Sequence, residues 1–253
     1  MTPLLWQAYF FAIGAAVGSF LNVVIYRVPT GGSIVRPASK CPACSAPIKW
    51  YFNIPMVGWI VLRGKCADCG TKISFRYPLV ELLTALLFTA CYLVFGATGQ
   101  GIVYMALCSA LVAVIFIDID HLIIPDVITL PGIVVGFVCA WFFLPMTMWD
   151  SFFGFLAGGG IFFLIAVIKP GGMGGGDIKL MAMVGAFLGW KAALLIIFLG
   201  SLIGSVGGIF GITFFGKTKE TLIPFGPYLA FATIISLFFK DALINSYLSL
   251  FTR

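Results

Sequence analysis

The feature that most constrains this chain is a glycine-rich turn between two long apolar segments. Residues 171–177 read Gly-Gly-Met-Gly-Gly-Gly-Asp, and the segments on either side are apolar enough to be membrane spans. Glycines this dense disfavour a regular helix, and irregular backbone at a membrane boundary is tolerated only where protein packs around it. We therefore expect a functional loop that leads into a recessed helix beginning at Asp177, where the helix dipole favours a carboxylate.

The composition indicates an integral membrane protein. Hydrophobic residues make up 61% of the chain and charged residues only 9%, whereas soluble domains carry about 25% charged residues. The net charge of +6 does not indicate nucleic-acid binding, because the basic residues gather in one loop and at the ends of apolar segments. We predict an all-α fold with about eight transmembrane helices in a lipid bilayer, near residues 4–26, 79–95, 102–117, 127–144, 151–168, 178–188, 192–215 and 225–239.

Three regions follow from this pattern: a first transmembrane helix at residues 1–26, a polar loop at 27–77 and a seven-helix membrane core at 78–253. The loop carries eight Lys or Arg residues against the single acid Asp68, which predicts a cytoplasmic location. Asn22, near the end of the first helix, is expected either to join two helices or to form part of a site, and we favour the first role. If the eight predicted spans cross the membrane in alternating directions from a cytoplasmic loop, further charged residues also lie on the cytoplasmic side. These are Lys169, Lys179, Lys217, Lys219, Asp118, Asp120, Asp126 and Asp177.

Four of the seven cysteines form two C-x-x-C units in the polar loop. Cys41 pairs with Cys44 and Cys66 with Cys69, and 21 residues separate the two units, a spacing typical of four-cysteine zinc sites. Four protein ligands close the coordination sphere, so the predicted Zn²⁺ is structural. A reducing cytoplasm favours metal over disulfides. The other three cysteines stand alone in apolar segments and are expected to be buried packing residues: Cys91, Cys108 and Cys139.

A second acidic cluster follows another apolar run. Asp118 comes directly after residues 114–117, and Asp120, His121 and Asp126 lie progressively further out. Two aspartates that share a proton can activate water, one as base and the other as acid. The alternative is that these acids only terminate helices and face water. His121, the only histidine, is expected to play a supporting or interfacial role, because a metal or triad site would need further partners.

Together these residues resemble the type IV prepilin peptidases. The resemblance rests on the cysteine tetrad, a GxGD motif and a D-x-D-H-x-x-x-P-D stretch, in a fixed order over nearly the whole chain. The matching segments are GSFLNVVIYRVP, RYPLVELLTA, FIDIDHLIIPD, GMGGGDIKLMAMVGAFLGW and IPFGPYLA. Gly175 fills the variable position of the GxGD motif, and Phe52 stands where relatives often carry an acid before Asn53-Ile54-Pro55.

The resemblance implies a GxGD-type aspartic protease of the bacterial cytoplasmic membrane. Its catalytic pair would be Asp118 and Asp177, and the surrounding active-site loops would include Gly174, Gly176, Asp120, His121 and Asp126. The substrates implied are type IV prepilins or type II secretion pseudopilins, cut after a glycine at the cytoplasmic face. The same family implies N-methylation of the new terminus, usually Phe, with S-adenosylmethionine as methyl donor. The sequence identifies no methyl-donor site.

Two other functions are compatible with parts of the pattern. A proton-coupled membrane transporter would use acids near the membrane and a glycine-broken helix, but would have no need of the cysteine loop. A non-catalytic zinc-ribbon assembly scaffold would explain the cysteines but not the paired acids. Substitution of Asp118 or Asp177 separates the three, because only a peptidase should lose cleavage.

Overall fold

The structure, a computed structural model, describes residues 2–215 and 224–249. The predicted basic residues Lys217 and Lys219 and the end of the membrane core at 250–253 lie outside these ranges. Two short 3₁₀ turns lie at Val28–Thr30 and Trp50–Asn53. The α-helices are α1 (Pro3–Arg27), α2 (Val57–Val61), α3 (Arg76–Phe95), α4 (Gly99–His121), α5 (Asp126–Phe142), α6 (Met148–Ile168), α7 (Gly175–Phe215) and α8 (Gly226–Ser249).

Several of these helices suit a membrane. Among the described residues, five helical stretches are long and apolar enough to cross one: Pro3–Thr30, Arg76–Phe95, Gly99–His121, Met148–Ile168 and Gly175–Phe210. Two shorter apolar helices lie at Asp126–Phe142 and Gly226–Lys240. The prediction of a helical, multi-pass membrane protein is confirmed, while the count of eight spans stays a prediction.

Helix α7 combines the predicted sixth and seventh spans. It is interrupted at Gly189, whose φ of 79° and ψ of 172° are non-helical and lie in a region that glycine alone adopts readily. The helix begins at Gly175, so the expected start at Asp177 was two residues late. The reason is local: the amides of Asp177 and Ile178 both donate to the Gly174 carbonyl oxygen, at 3.1 and 3.3 Å, which draws Gly175 and Gly176 into the first turn.

The described residues form two compact units that divide within α4, between Ala113 and Val114. In the first unit, α1 packs closely on α3 because α1 presents glycine at the contact. A Cβ on Gly18 would lie 2.6 Å from Glu81 Cα, and one on Gly14 would lie 2.7 Å from Ala85 Cα. The Asn22 side-chain amide donates to the Tyr77 carbonyl at 3.1 Å, which confirms its predicted role of joining helices.

In the second unit, α7 is the central helix and packs on α5, α6 and α8. The Ser151 hydroxyl of α6 donates to the Ala186 carbonyl of α7 at 2.7 Å, and Gly200 of α7 faces Leu229 of α8. Residues 180–188 of α7 are all buried. This buried segment anchors the helix whose first turn carries Asp177.

Candidate active site and metal cluster

Asp118 lies near the end of α4, and only 5% of its surface is exposed. Its Oδ2 accepts a hydrogen bond from the backbone amide of Gly226, with 3.0 Å between the two atoms. Gly226 is the first residue of α8, where backbone amides have no partner within the helix and the dipole favours negative charge. The start of α8 therefore fixes the position of the Asp118 carboxyl group.

Gly226 is a site residue that sequence reasoning missed. A Cβ there would lie 2.8 Å from Asp118 Oδ2 and 3.0 Å from Ile124 Cδ1, so only glycine brings the amide this close. The available signal was the Pro-Phe-Gly-Pro stretch at residues 224–227, which opens an apolar segment and is typical of a turn leading into a helix.

Asp177 lies in the first turn of α7 and is half-buried. Its carboxyl group interacts electrostatically with that of Asp118, so the structure brings together the two acids that we call the carboxylate pair. The two glycines that flank Gly175 have close neighbours: a Cβ on Gly174 would lie 2.8 Å from Asp177 Oδ2, and one on Gly176 would lie 2.8 Å from Ile124 Cβ. Nothing lies within 4 Å of the corresponding point at Gly175.

Ile124 connects the two halves of this site. It is buried, and it faces both Gly176 at the start of α7 and Gly226 at the start of α8. The residue lies in the connection between α4 and α5, six positions after Asp118. Its side chain thus lies between the starts of α7 and α8, beside the two acids.

The remaining predicted site residues lie further out. Asp120 and His121 end α4 with exposed side chains. Asp126 begins α5, and both of its carboxylate oxygens accept hydrogen bonds from Lys179 Nζ at 2.7 Å. This ion pair joins the start of α5 to α7 one half-turn beyond Asp177. Lys179 was not among the predicted site residues, although a lysine inside the apolar segment after Asp177 was a visible signal.

The four loop cysteines form a compact cluster that could hold a metal ion. Their sulfur atoms all lie within 4.8 Å of one another, with 3.8 Å between Cys41 and Cys69 and 4.0 Å between Cys44 and Cys66. The two C-x-x-C turns are alike: Ser45 N donates to Cys41 O, and Gly70 N donates to Cys66 O. Both donors have positive φ, at 59° and 70°. The predicted metal-binding cluster is confirmed as an arrangement of side chains.

Hydrogen bonds lower the pKa of two of these thiols. The hydroxyl group and then the backbone amide of Thr71 lower the pKa of the Cys69 thiol to about 6. The backbone amides of Cys44 and Ala43 lower the pKa of Cys41 below its usual range. Since the thiolate is the form that binds metal, both bonds favour coordination. The other three cysteines are buried in the helices, as predicted.

The chain is thus a multi-pass helical membrane protein with a carboxylate pair at helix ends and a four-cysteine cluster in a loop. It belongs to the type IV leader peptidase family, whose model matches residues 105–212. The model of the bacterial peptidase A24 N-terminal domain matches residues 12–95. The resemblance found in the sequence is therefore confirmed.

Similar proteins carry the name prepilin leader peptidase/N-methyltransferase. One from Myxococcus xanthus is 45% identical over 214 residues, which cover 81% of this chain and 63% of that relative. One from Pseudomonas aeruginosa is 37% identical over 274 residues, which cover 97% of this chain and 94% of the relative. One from Stutzerimonas stutzeri is 35% identical, covering 97% and 95%. No solved structure matches the chain.

Proposed function

We propose that this protein is a membrane aspartic endopeptidase that removes the basic leader from type IV prepilins or type II secretion pseudopilins after a glycine. We propose further that it methylates the new N-terminal residue with S-adenosylmethionine. The observation that carries the peptidase function is the carboxylate pair, in which a buried Asp118 and a half-buried Asp177 interact. The names of the relatives support both activities and favour them over a proton-coupled transporter or a scaffold.

The proposed cleavage uses one proton shared by the carboxylate pair. The ionised carboxylate takes a proton from water while the protonated one donates to the oxygen of the scissile carbonyl. The water oxygen then bonds to the carbonyl carbon, and the C–N bond breaks as a proton passes to the leaving amine. The Gly226 amide keeps Asp118 in place throughout. Asp120, His121 and Asp126 are proposed to shape the surrounding loops.

The proposed location is the bacterial cytoplasmic membrane, with the cysteine loop and the carboxylate pair on the cytoplasmic side. The eight basic residues of the loop support this orientation. A basic leader would stay on the same side before cleavage, so the scissile bond would lie at the cytoplasmic face of the bilayer.

We propose that the cysteine cluster holds a structural Zn²⁺. A tetrahedral ion with Zn–S bonds of about 2.3 Å requires sulfurs about 3.8 Å apart, and two sulfur pairs lie at 3.8 and 4.0 Å. The residues present therefore fit the metal. In a loop whose side chains are largely exposed, the ion would take the place of a hydrophobic core. S-adenosylmethionine, when bound, supplies an activated methyl group.

The function is tested with purified protein and a prepilin-like substrate that carries a basic leader and a Gly-Phe junction. We expect mass spectrometry to show a product beginning at Phe, which gains the mass of one methyl group when S-adenosylmethionine is added. Failure to cut, in protein with bound zinc and a cooperative unfolding transition, would reject the peptidase function.

Alanine substitutions at Gly174, Gly175 and Gly176 are expected to affect the cleavage rate unequally. Gly174→Ala places a methyl group against the Asp177 carboxylate, and Gly176→Ala places one against Ile124. We expect each to lower the cleavage rate by at least about tenfold, because small misplacements of reacting groups are costly. Gly175→Ala meets open space and serves as the matched control with a near-normal rate. Equal initial rates in all three variants would contradict the assigned contacts.

A further inference from the structure

The short helix α2 of the cysteine loop has an apolar face that the described residues leave exposed. Its five residues, Val-Gly-Trp-Ile-Val, carry no charge. Val57, Ile60 and Val61 are spaced three and four residues apart, so they share one side of the helix, and each is between 50% and 65% exposed. Trp59 lies on the opposite side. A contiguous apolar face of this kind marks a surface that contacts something other than water.

Trp59 attaches the opposite side of α2 to the residues that lead into α3. Its indole N–H donates to the Ile73 carbonyl oxygen at 3.1 Å. Its ring meets that of Phe75 edge to face, with 5.6 Å between the ring centroids. Phe75 directly precedes Arg76, where the membrane-crossing stretch of α3 begins. Helix α2 is therefore fixed close to the point at which α3 enters the membrane.

A second contact sets the level of α2 along α3. The backbone amide of Met56, the residue before α2, donates to Glu81 Oε2, with 2.6 Å between the atoms. Glu81 is buried and follows Arg76 by five residues, which is about 7 Å along a helix. Met56 reaches it with a φ of 59°, a conformation unusual for a residue other than glycine. Helix α2 thus begins beside the first turns of α3 rather than beyond its end.

Basic residues follow the apolar face. Arg63 and Lys65 come two and four residues after Val61, and both are exposed. Guanidinium and ammonium groups bind phosphate, and their long apolar stems can lie along acyl chains while the charge stays in water. An apolar face, adjoining basic residues and a position at the membrane boundary are together typical of a helix that lies in the lipid interface.

We propose that α2 is an interfacial anchor: Val57, Ile60 and Val61 insert into the phospholipid headgroup layer of the membrane that α3 enters, and Arg63 and Lys65 contact lipid phosphates. The anchor holds the cysteine loop against the bilayer surface. The inference goes beyond leader cleavage and methyl transfer, since it assigns a lipid contact to a surface that neither reaction uses. It depends only on the contacts of α2 and on the membrane-crossing character of α3.

The test is photocrosslinking of the full-length protein in vesicles of phosphatidylethanolamine and phosphatidylglycerol, and in cell membranes. Benzoylphenylalanine replaces Ile60, whose exposed side chain leaves room for it. Leu86, exposed on the membrane-crossing α3, is the lipid control, and the exposed acid Asp68 is the water control. We expect mass spectrometry to show phospholipid adducts at Ile60, in a yield near that at Leu86 and at least about fivefold above that at Asp68.

The outcomes distinguish lipid from a protein partner. Zinc content and thermal unfolding first show that each labelled protein is folded. Lipid adducts at Ile60 in both preparations support the anchor. Adducts at Ile60 that join mainly to another protein in cell membranes would mean that a protein partner covers α2, and the inference would be wrong. A lipid yield at Ile60 no higher than at Asp68 would also overturn it.

Amide hydrogen exchange in the same vesicles gives a second measurement. The Gly58 and Leu62 amides donate to the Ile54 and Gly58 carbonyl oxygens, so they report whether α2 is formed. Ile60→Glu puts a charge on the anchor face and is expected to speed their exchange at least about fivefold, because a helix this short depends on packing. Val35→Glu, at another exposed apolar position of the loop, is the matched control with unchanged exchange. Equal exchange in wild type and both variants would contradict the anchor.

Discussion

Replacement of Asp118 or Asp177 by Asn is expected to lower the rate of leader cleavage by about 10²–10⁴-fold. Asparagine has nearly the same size and can still accept a hydrogen bond, so the Gly226 amide, 3.0 Å from Asp118 Oδ2, would keep a partner. What is lost is the ability to carry the shared proton. The measurement is the initial rate of cleavage of a prepilin-like substrate by each purified variant.

The control for this experiment is Asp150→Asn. Asp150 accepts hydrogen bonds from the Thr147 amide and hydroxyl, at the start of α6, and the proposed reaction does not involve it. We expect Asp150→Asn to weaken the capping box of α6 while cleavage continues. Normal cleavage by Asp118→Asn or Asp177→Asn would mean that another acid, such as Asp120 or Asp126, performs the chemistry.

Loss of a zinc ligand is expected to have the second large effect. Cys41 is buried, and its sulfur lies 3.8 Å from that of Cys69. In the Cys41→Ser variant we expect a large loss of zinc affinity. Removing a hydrogen bond to a metal-binding side chain costs roughly 10–100-fold in affinity, and removing the metal-binding side chain itself should cost more. Folded yield and unfolding temperature should fall with it, because metal binding and folding of such loops are coupled. The measurements are metal stoichiometry and thermal unfolding.

Cys139→Ala provides the comparison for the zinc ligand. Cys139 is also buried but is not a member of the cluster, so its substitution should leave the zinc stoichiometry unchanged. Full zinc content and normal yield in Cys41→Ser would disprove the structural-zinc proposal.

The sequence predicted the parts of the site that depend on local pattern. The spacing of Cys41, Cys44, Cys66 and Cys69 was sufficient to predict their cluster, because C-x-x-C turns have similar backbone geometry wherever they occur. The interruption at Gly189 falls between the predicted helices at 178–188 and 192–215. In each case the signal lies within a few residues of the structure that it specifies.

The missed features depend on tertiary contacts. Gly226 is 108 residues from Asp118, and only the folded unit shows that its amide holds that carboxyl group. The Lys179–Asp126 ion pair spans 53 residues, and the Glu81–Met56 bond depends on an unusual backbone conformation at Met56. The start of α7 was misplaced by two residues because the Gly174 carbonyl accepts two amides, which outweighs the low helix propensity of glycine.

The most direct test of the paired-aspartate mechanism is the binding of a transition-state mimic. In a prepilin-like peptide, the Gly-Phe amide is replaced by a hydroxyethylene group, whose hydroxyl would lie between Asp118 and Asp177. The comparison peptide lacks only that hydroxyl. We predict that the wild type binds the hydroxyl peptide at least about 100-fold more tightly, as enzymes do with transition-state mimics, and that either Asp→Asn substitution removes the preference. Equal binding of the two peptides by the wild-type protein would contradict the account.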